Sequence, residues 1–224
     1  MTEKKFEIFN RYADYITAER KATLLRNSLE RTRHVAVVLE DVYQAHNSSA
    51  VLRTADCFGV QDIHIIEQSN TFSVSKEIAK GAAQWLSLHK YSARESNNTL
   101  RCFATLKEQG YLLVATTPHE NDVLIQDLPI DQKIALVFGT EQDGLSKVAL
   151  EQADQWVKVP LYGFTESFNI SVCAGIVLYE VIKRLRESKI DWRLSESERA
   201  DLLLRWLSQS TNIGPLIEKE LASQ

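Results

Sequence analysis

No apolar run in this 224-residue chain is long enough to cross a membrane. The longest begins at Ile170 and is broken by Glu180, short of the roughly 18 to 20 residues that a span requires. The opening stretch MTEKKFEIFNRYADY also lacks the apolar segment and small-residue cleavage site of a secretory signal, so a cytoplasmic location is expected. Cysteine is scarce. Cys57, Cys102 and Cys173 are far apart in apolar contexts and form no CxxC or Cys/His spacing. That excludes a zinc module, and reduced core thiols with no metal site are expected. Neither GxGxxG nor GxxxxGK followed by Ser or Thr occurs, so a nicotinamide-dependent dehydrogenase has no glycine fingerprint to rest on. Internal repeats and low-complexity linkers are missing too, which leaves no basis for a solenoid or a chain of loosely tethered domains.

What is present suits one compact domain with terminal additions. The composition, 44% hydrophobic and 25% charged, argues against both disorder and a fibrous architecture. A formal net charge of -4 is a mild argument against a nucleic-acid partner, but the charge is uneven. From Thr2 to His34 the basic residues Lys4, Lys5, Arg11, Arg20, Lys21, Arg26, Arg31 and Arg33 outnumber the acids. A second basic cluster, Lys183, Arg184, Arg186, Lys189 and Arg193, lies near the C-terminus. Basic flanks around an acidic middle can hold a polyanion at the ends of the chain; they equally suit a pair of solvated helix faces.

The spacing of Phe6, Phe9, Ile16, Leu24, Leu25 and Leu29 predicts one or two amphipathic helices. Next comes VAVVLE, Val35 to Glu40, a continuous β-branched run of the kind found in a strand covered on both faces. Similar runs follow at Ile63, Tyr111, Ile134 and Trp156, with helical patterns between them starting near Asn47, Ser75, Asn97 and Ser146. Gly59 and Gly110 stand where helix C-caps are expected. Alternation of strand and helix predicts an α/β fold with a mainly parallel sheet. Ser195 and Glu198 form an S-x-x-E capping box that opens a C-terminal helix. The expected organisation is a helical extension over 1–33, an α/β domain over 34–187 and a second helical extension over 188–224.

Three stretches could carry chemistry. In HNSSAVLRTADCFGV, His46 to Val60, a step of about 100° per residue clusters Val51, Leu52, Ala55 and Phe58 on one face and points Arg53 nearly opposite. A solvated surface arginine explains Arg53 well, and Asn47 has a plain role as an N-cap. LVFGTEQDGLS, Leu136 to Ser146, leaves a strand with Gly139, turns at Gly144 and enters a helix that Ser146 can cap. In an open α/β sheet the crevice at the carboxyl ends of the strands is where ligands bind, although Glu141 alone could be an ordinary loop acid. VPLYGFTESFNISVCAGIVLYEV, Val159 to Val181, sets a polar loop before the most apolar helix. Gly163 there permits backbone angles closed to other residues. A cap at Ser167 or Asn169 explains one polar residue of Thr165, Glu166, Ser167 and Asn169, not all four.

Together, in this order, the three stretches resemble the sequence motifs of the TrmH family of RNA ribose 2'-O-methyltransferases within the SPOUT superfamily, over about Val35 to Lys183. The resemblance implies a SPOUT-type α/β fold whose C-terminal part is tied in a deep trefoil knot that forms the S-adenosylmethionine pocket. It assigns Asn47, Arg53, Glu141, Ser167 and Asn169 to catalysis. Thr116, Gly139, Val159, Leu161 and Phe168 become cofactor contacts, several of them through backbone groups. It also implies a homodimer, with the knot regions packed together.

The basic helical flanks and the stretch LEDVYQAHNSSAVLRTADCFGV look close to the branch that methylates guanosine 18 in the tRNA D-loop. On that reading Arg11, Arg20, Lys21, Arg31, Arg33, Lys183, Arg184 and Arg186 are candidates for RNA phosphate contacts. The expected partners are tRNA and a second copy of the chain, with neither DNA nor a membrane among them. Methylation of ribosomal RNA or of the tRNA wobble nucleotide is the alternative within the same chemistry. A non-catalytic RNA-binding or assembly protein is the alternative outside it.

Overall fold

The computed structural model describes residues 2–118, 122–211 and 214–222. They form two compact units: Arg33–Trp192, and the terminal segments Met1–Thr32 with Arg193–Gln224.

The larger unit alternates strand and helix. Its strands are β1 (Val35–Glu40), β2 (Asp62–Ile66), β3 (Ser87–Tyr91), β4 (Leu112–Thr116), β5 (Val123–Leu124), β6 (Ile134–Phe138) and β7 (Gln155–Lys158). They pair in the order β3-β2-β1-β6-β4-β7-β5, every neighbour parallel. Along β1 the side chains of Val35, Val37 and Leu39 enter one core layer, and Ala36 and Val38 enter the other. The first layer is closed by α3 (Ala45–Cys57), through Val51, Leu52 and Ala55, and by α7 (Ile170–Glu187), through Ala174, Val177, Leu178 and Val181. The second is closed by α5 (Asn98–Glu108) and α6 (Lys147–Gln152), through Cys102, Phe103, Leu106 and Ala149. Burial on both faces is why these strands read as unbroken apolar runs.

β3 and β5 go beyond the five strands expected from sequence. Both lie at sheet edges, where SLHKY keeps only Ser87 buried and β5 is two residues long. Short, polar edge strands are a common defence against edge-to-edge pairing, and they leave no apolar run to read. The helix expected from Ser75 is a single turn, α4 (Lys76–Ala79), stopped where Lys80 and Gly81 take φ values of 48° and 80°. Gly59 and Gly110 end α3 and α5 at φ 78° and 81°. At each end the following amide, Val60 or Tyr111, bonds back to Ala55 or Leu106 at 3.0 Å. That is the six-to-one hydrogen bond of a Schellman cap. One expectation fails: Cys57 is exposed, while Cys102 is buried and Cys173 partly so. Cys57 lies four residues after the exposed Arg53 on the outward side of α3, so it is not a core thiol.

The smaller unit contains α1 (Thr2–Tyr12), α2 (Ala18–Leu29), α8 (Glu196–Ser210) and α9 (Gly214–Ala222). Ile8, Phe9, Leu24, Leu203, Trp206 and Leu207 are buried in it. Lys5 pairs with Asp201 at 2.5 Å and Arg11 with Glu220 at 2.6 Å. The Ser195 box is formed, with the Glu198 amide donating to Ser195 Oγ and the Ser195 amide to Glu198 Oε2 at 2.9 Å.

Candidate active site

The carboxyl ends of β6 and β4 open onto a cavity of about 350 Å³. Its rim is the loop 139–146. Gly139 is required there because a Cβ would come within 2.1 Å of the Gly144 carbonyl oxygen. Reciprocal backbone bonds between Thr140 and Gly144, at 3.0 and 3.1 Å, close the loop, and Gly144 takes φ 66°. The opposite wall comes from the stretch 159–169, which carries no regular structure. Gly163 has no positive φ among the described residues, and a Cβ on it would meet only Thr165 N at 4.0 Å. The backbone freedom that a glycine permits is therefore not used at Gly163.

Thr116, Gly139, Val159, Leu161 and Phe168 all line this cavity, as do Glu141 and Ser167. Glu141 is also the centre of a side-chain network. Asn47 Nδ2 donates to Glu141 Oε1 and, at 2.8 Å, to Gln44 Oε1. Asn169 Nδ2 donates to Asn47 Oδ1 at 3.2 Å and reaches Glu141 Oε1 at 3.5 Å. Asn169 Oδ1 accepts from the backbone amide and hydroxyl of Ser171, at 2.9 and 2.6 Å, and so caps α7. Each link fixes the next. Because the helix N-terminus takes the Asn169 oxygen, its amino group must face Asn47, and that turns the amino group of Asn47 toward Glu141.

Asn47 is thus not the N-cap of α3. The helix starts earlier, at Ala45, with Gln44 as the cap residue, and the Asn47 side chain faces Gln44 and Glu141 instead of the first-turn amides. Gln44 and Ser171 are the members of the network that sequence reasoning missed. Arg53 stands apart from it. It is exposed, without a hydrogen bond or ion pair among the described residues, and is not on the cavity wall. Six residues from Asn47, it sits about 120° around the helix.

The wall chemistry narrows the ligand. Glu141, Asp143 and Glu166 line the cavity together with apolar side chains from Phe138, Val157 and Ile170, and among the described residues no Lys or Arg does. Acids without basic residues disfavour a phosphate and suit an organic cation with an apolar body, in a space of ordinary small-molecule size. Cys173 also lines it, but burial pushes its thiol up to about 11, so it stays neutral and is a poor nucleophile.

Residues 34–179 match the model of the SpoU rRNA Methylase family. The chain belongs to this family. It is 39% identical over 209 residues to the tRNA (guanosine(18)-2'-O)-methyltransferase of Borreliella burgdorferi, covering 93% of this chain and 94% of that one. The crystal structure of the TrmH/SpoU tRNA modifying enzyme of A. aeolicus superimposes with a TM-score of 0.77 at 28% identity, over 86% of this chain and 97% of that one. The SpoU methyltransferase AviRb from Streptomyces viridochromogenes, solved in complex with AdoMet, shares the fold at a TM-score of 0.61 and 20% identity, over 70% of this chain and 63% of that one. The mainly parallel α/β architecture is that of the family.

The basic residues expected to meet RNA divide into two groups. Arg20, Lys183 and Arg186 are exposed, and Arg186 lies over the Trp192 ring at 4.6 Å. Arg11 is 63% exposed in spite of its Glu220 pair, Lys21 is half-buried, and Arg33 is held by Asp62 at 2.9 Å. Two expectations are corrected. Arg31 is buried, with its guanidinium on the Trp206 ring at 5.3 Å. Arg184 donates to the Ile125 and Leu128 carbonyls at 3.2 and 2.7 Å. Both serve the fold.

Proposed function

We propose that this protein transfers a methyl group from S-adenosylmethionine to the 2'-hydroxyl of guanosine 18 in the D-loop of tRNA. The observation that carries the reading is the Asn47, Glu141 and Asn169 network on the rim of an acid-lined cavity, in a chain similar over nearly its whole length to a tRNA guanosine-18 enzyme. Thr116, Gly139, Val159, Leu161 and Phe168 hold the cofactor, and the wall carboxylates complement its positive charge. Bound S-adenosylmethionine supplies a sulfonium methyl already activated for transfer.

The chain's own task is then placement. Fixing the reacting oxygen in line can contribute up to roughly 7 to 11 kcal/mol. Glu141 holds the two amides in register, and Ser167 and Asn169 orient the ribose side of the site. In the homodimer of this reading Arg53, which stands off the cavity wall of its own chain, reaches the site of the other copy, where it binds the neighbouring phosphate and stabilises the developing alkoxide. Its guanidinium, with a pKa of about 12.5 or higher, stays protonated and is too weak a base to take the hydroxyl proton itself, so that proton passes to solvent water as the oxygen–methyl bond forms. Exposed Arg11, Arg20, Lys183 and Arg186 give affinity without base specificity.

The same reading includes a trefoil knot formed by the loop 139–146 and the stretch 159–169, supported by family membership and by a sheet order that inserts β6 between β1 and β4. It includes a homodimer, supported by the apolar surface of Tyr162, Phe164, Val172 and Tyr179, exposed at 95%, 109%, 50% and 55%. No helix among the described residues is long and apolar enough to cross a membrane, and a tRNA substrate puts the enzyme in the cytoplasm.

The test is transfer of labelled methyl to an unmodified tRNA transcript, compared with one carrying 2'-deoxyguanosine at position 18. Label on the first alone is expected. Equal label on both moves the target elsewhere, and label on neither favours ribosomal RNA or a non-catalytic binder.

A further inference from the structure

Glu40 ends β1 and is only 3% exposed, and no cation pairs with it among the described residues. A buried, unpaired carboxylate is costly unless donors satisfy it. Here the donors are specific. Glu40 Oε1 accepts from Thr99 Oγ1 at 2.6 Å and from Ser146 Oγ at 2.8 Å, and Oε2 accepts from the Ser146 amide at 2.9 Å. Two of the three bonds go to one residue, Ser146, which ends the cavity loop and caps α6 through a bond from Ala149 N at 3.1 Å. The loop that carries Glu141 is therefore tied at one end by its continuation from β6 and at the other by Glu40. The Thr140 and Gly144 bonds close the loop on itself, and its two tied ends fix where the closed loop sits.

We infer that Glu40 is a positioning residue: it holds the loop 139–146 in the arrangement that receives the methyl donor, and so sets the affinity for S-adenosylmethionine without touching it. The inference rests on the cofactor reading of the cavity. If only a fraction of molecules keeps the loop in place, apparent affinity falls by that fraction, while turnover at saturating cofactor is largely retained.

Five variants test this: Glu40→Ala, Glu40→Gln, Thr99→Val, Ser146→Ala and Ser146→Gly. The readouts are hydrogen exchange of the Thr140 and Gly144 amides in cofactor-free protein, calorimetric affinity for S-adenosylmethionine, steady-state kinetics and melting temperature. Glu40→Ala is expected to speed loop exchange and raise Kd and KM by roughly tenfold or more, with kcat within about threefold. Glu40→Gln should restore most of the loss, because its amide can accept from the Ser146 N–H and donate to a hydroxyl. Thr99→Val, which leaves both Ser146 bonds in place, should lower the melting temperature and leave exchange and Kd unchanged. Ser146→Ala, which deletes one loop-side bond and the α6 cap with Glu40 present, should raise Kd severalfold; if Glu40→Ala does not fold, Ser146→Ala decides the matter by comparison with Ser146→Gly, which loses the same bond to Glu40 but at a cap position costs only a few tenths of a kcal/mol relative to serine. Unchanged loop exchange in Glu40→Ala, or equal effects of Glu40→Ala and Thr99→Val that follow the loss of melting temperature, would overturn the positioning role. Faster loop exchange with unchanged affinity would instead overturn the cofactor assignment of the cavity.

Discussion

The side-chain amides of Asn47 and Asn169, 122 positions apart in sequence, meet at 3.2 Å. Asn169 is the donor because its oxygen is taken by the start of α7, and Asn47 therefore offers its own amino group to Glu141. The direction of every bond is set by a helix N-terminus.

Replacing Asn47 with Asp removes that amino group and places a carboxylate against the oxygens of Glu141 and Gln44. The expected loss in kcat/KM is about 100-fold, or roughly 2.7 kcal/mol. The two carboxylates then share a proton at lower pH, as close acid pairs do, so the deficit should shrink as pH falls. A pH-rate profile of Asn47→Asp parallel to that of the wild type would contradict the relay.

Arg53→Lys keeps the charge and loses the planar fork. Since Arg53 is exposed and unpartnered among the described residues, the melting temperature of the variant should not move. Methyl transfer should drop by roughly 10- to 100-fold if the fork grips a phosphate in two places. Near-wild-type turnover would show that charge alone suffices.

The two site glycines should behave oppositely. Gly139→Ala drives a Cβ toward the Gly144 carbonyl and is expected to cost about 1 to 3 kcal/mol and to abolish tight cofactor binding. Gly163→Ala meets only Thr165 N, at an ordinary contact distance of 4.0 Å and without a positive φ, and should stay within about 0.5 kcal/mol of wild type. Chemical denaturation of both variants checks the pair, and equal effects would refute the loop geometry.

Acid should weaken the larger unit through His64. Burial, then the charge of neighbouring His89, lowers its pKa to about 4; its ring stacks on His89 at 4.6 Å. The unfolded chain takes up a proton near pH 6.5 and the folded one does not until about 4. Stability is therefore full above 6.5 and falls between 6.5 and 4, by about 2 kcal/mol at pH 5. Asp62 adds a loss at still lower pH. Burial pushes its carboxyl up, but the hydrogen bond from His89 and the charge of Arg33 outweigh this, and the net direction is down. Urea unfolding at pH 7.5 and 5 should show the difference, and His64→Leu should flatten it. Equal wild-type stability at both values would rule out this role for His64.

Much of the fold was legible because parallel strands buried on both faces leave apolar runs, as VAVVLE does. The edge strand SLHKY was not, since one unpaired side and mostly accessible side chains remove that pattern. The polar residues around the cavity drew attention as surplus to capping. Their connections could not be read, because Asn47, Glu141 and Asn169 meet only through the sheet order, and Asn47 looks like a cap in one dimension. Arg31 and Arg184 matched a basic surface by type alone, and packing gave them to Trp206 and to two carbonyls.

The most direct test of the account is mass spectrometry of nuclease-digested tRNA after reaction with S-adenosylmethionine. One methyl per molecule is predicted, on the ribose of guanosine 18, as 2'-O-methylguanosine. A methyl group on a base, or on any other nucleotide, would contradict it.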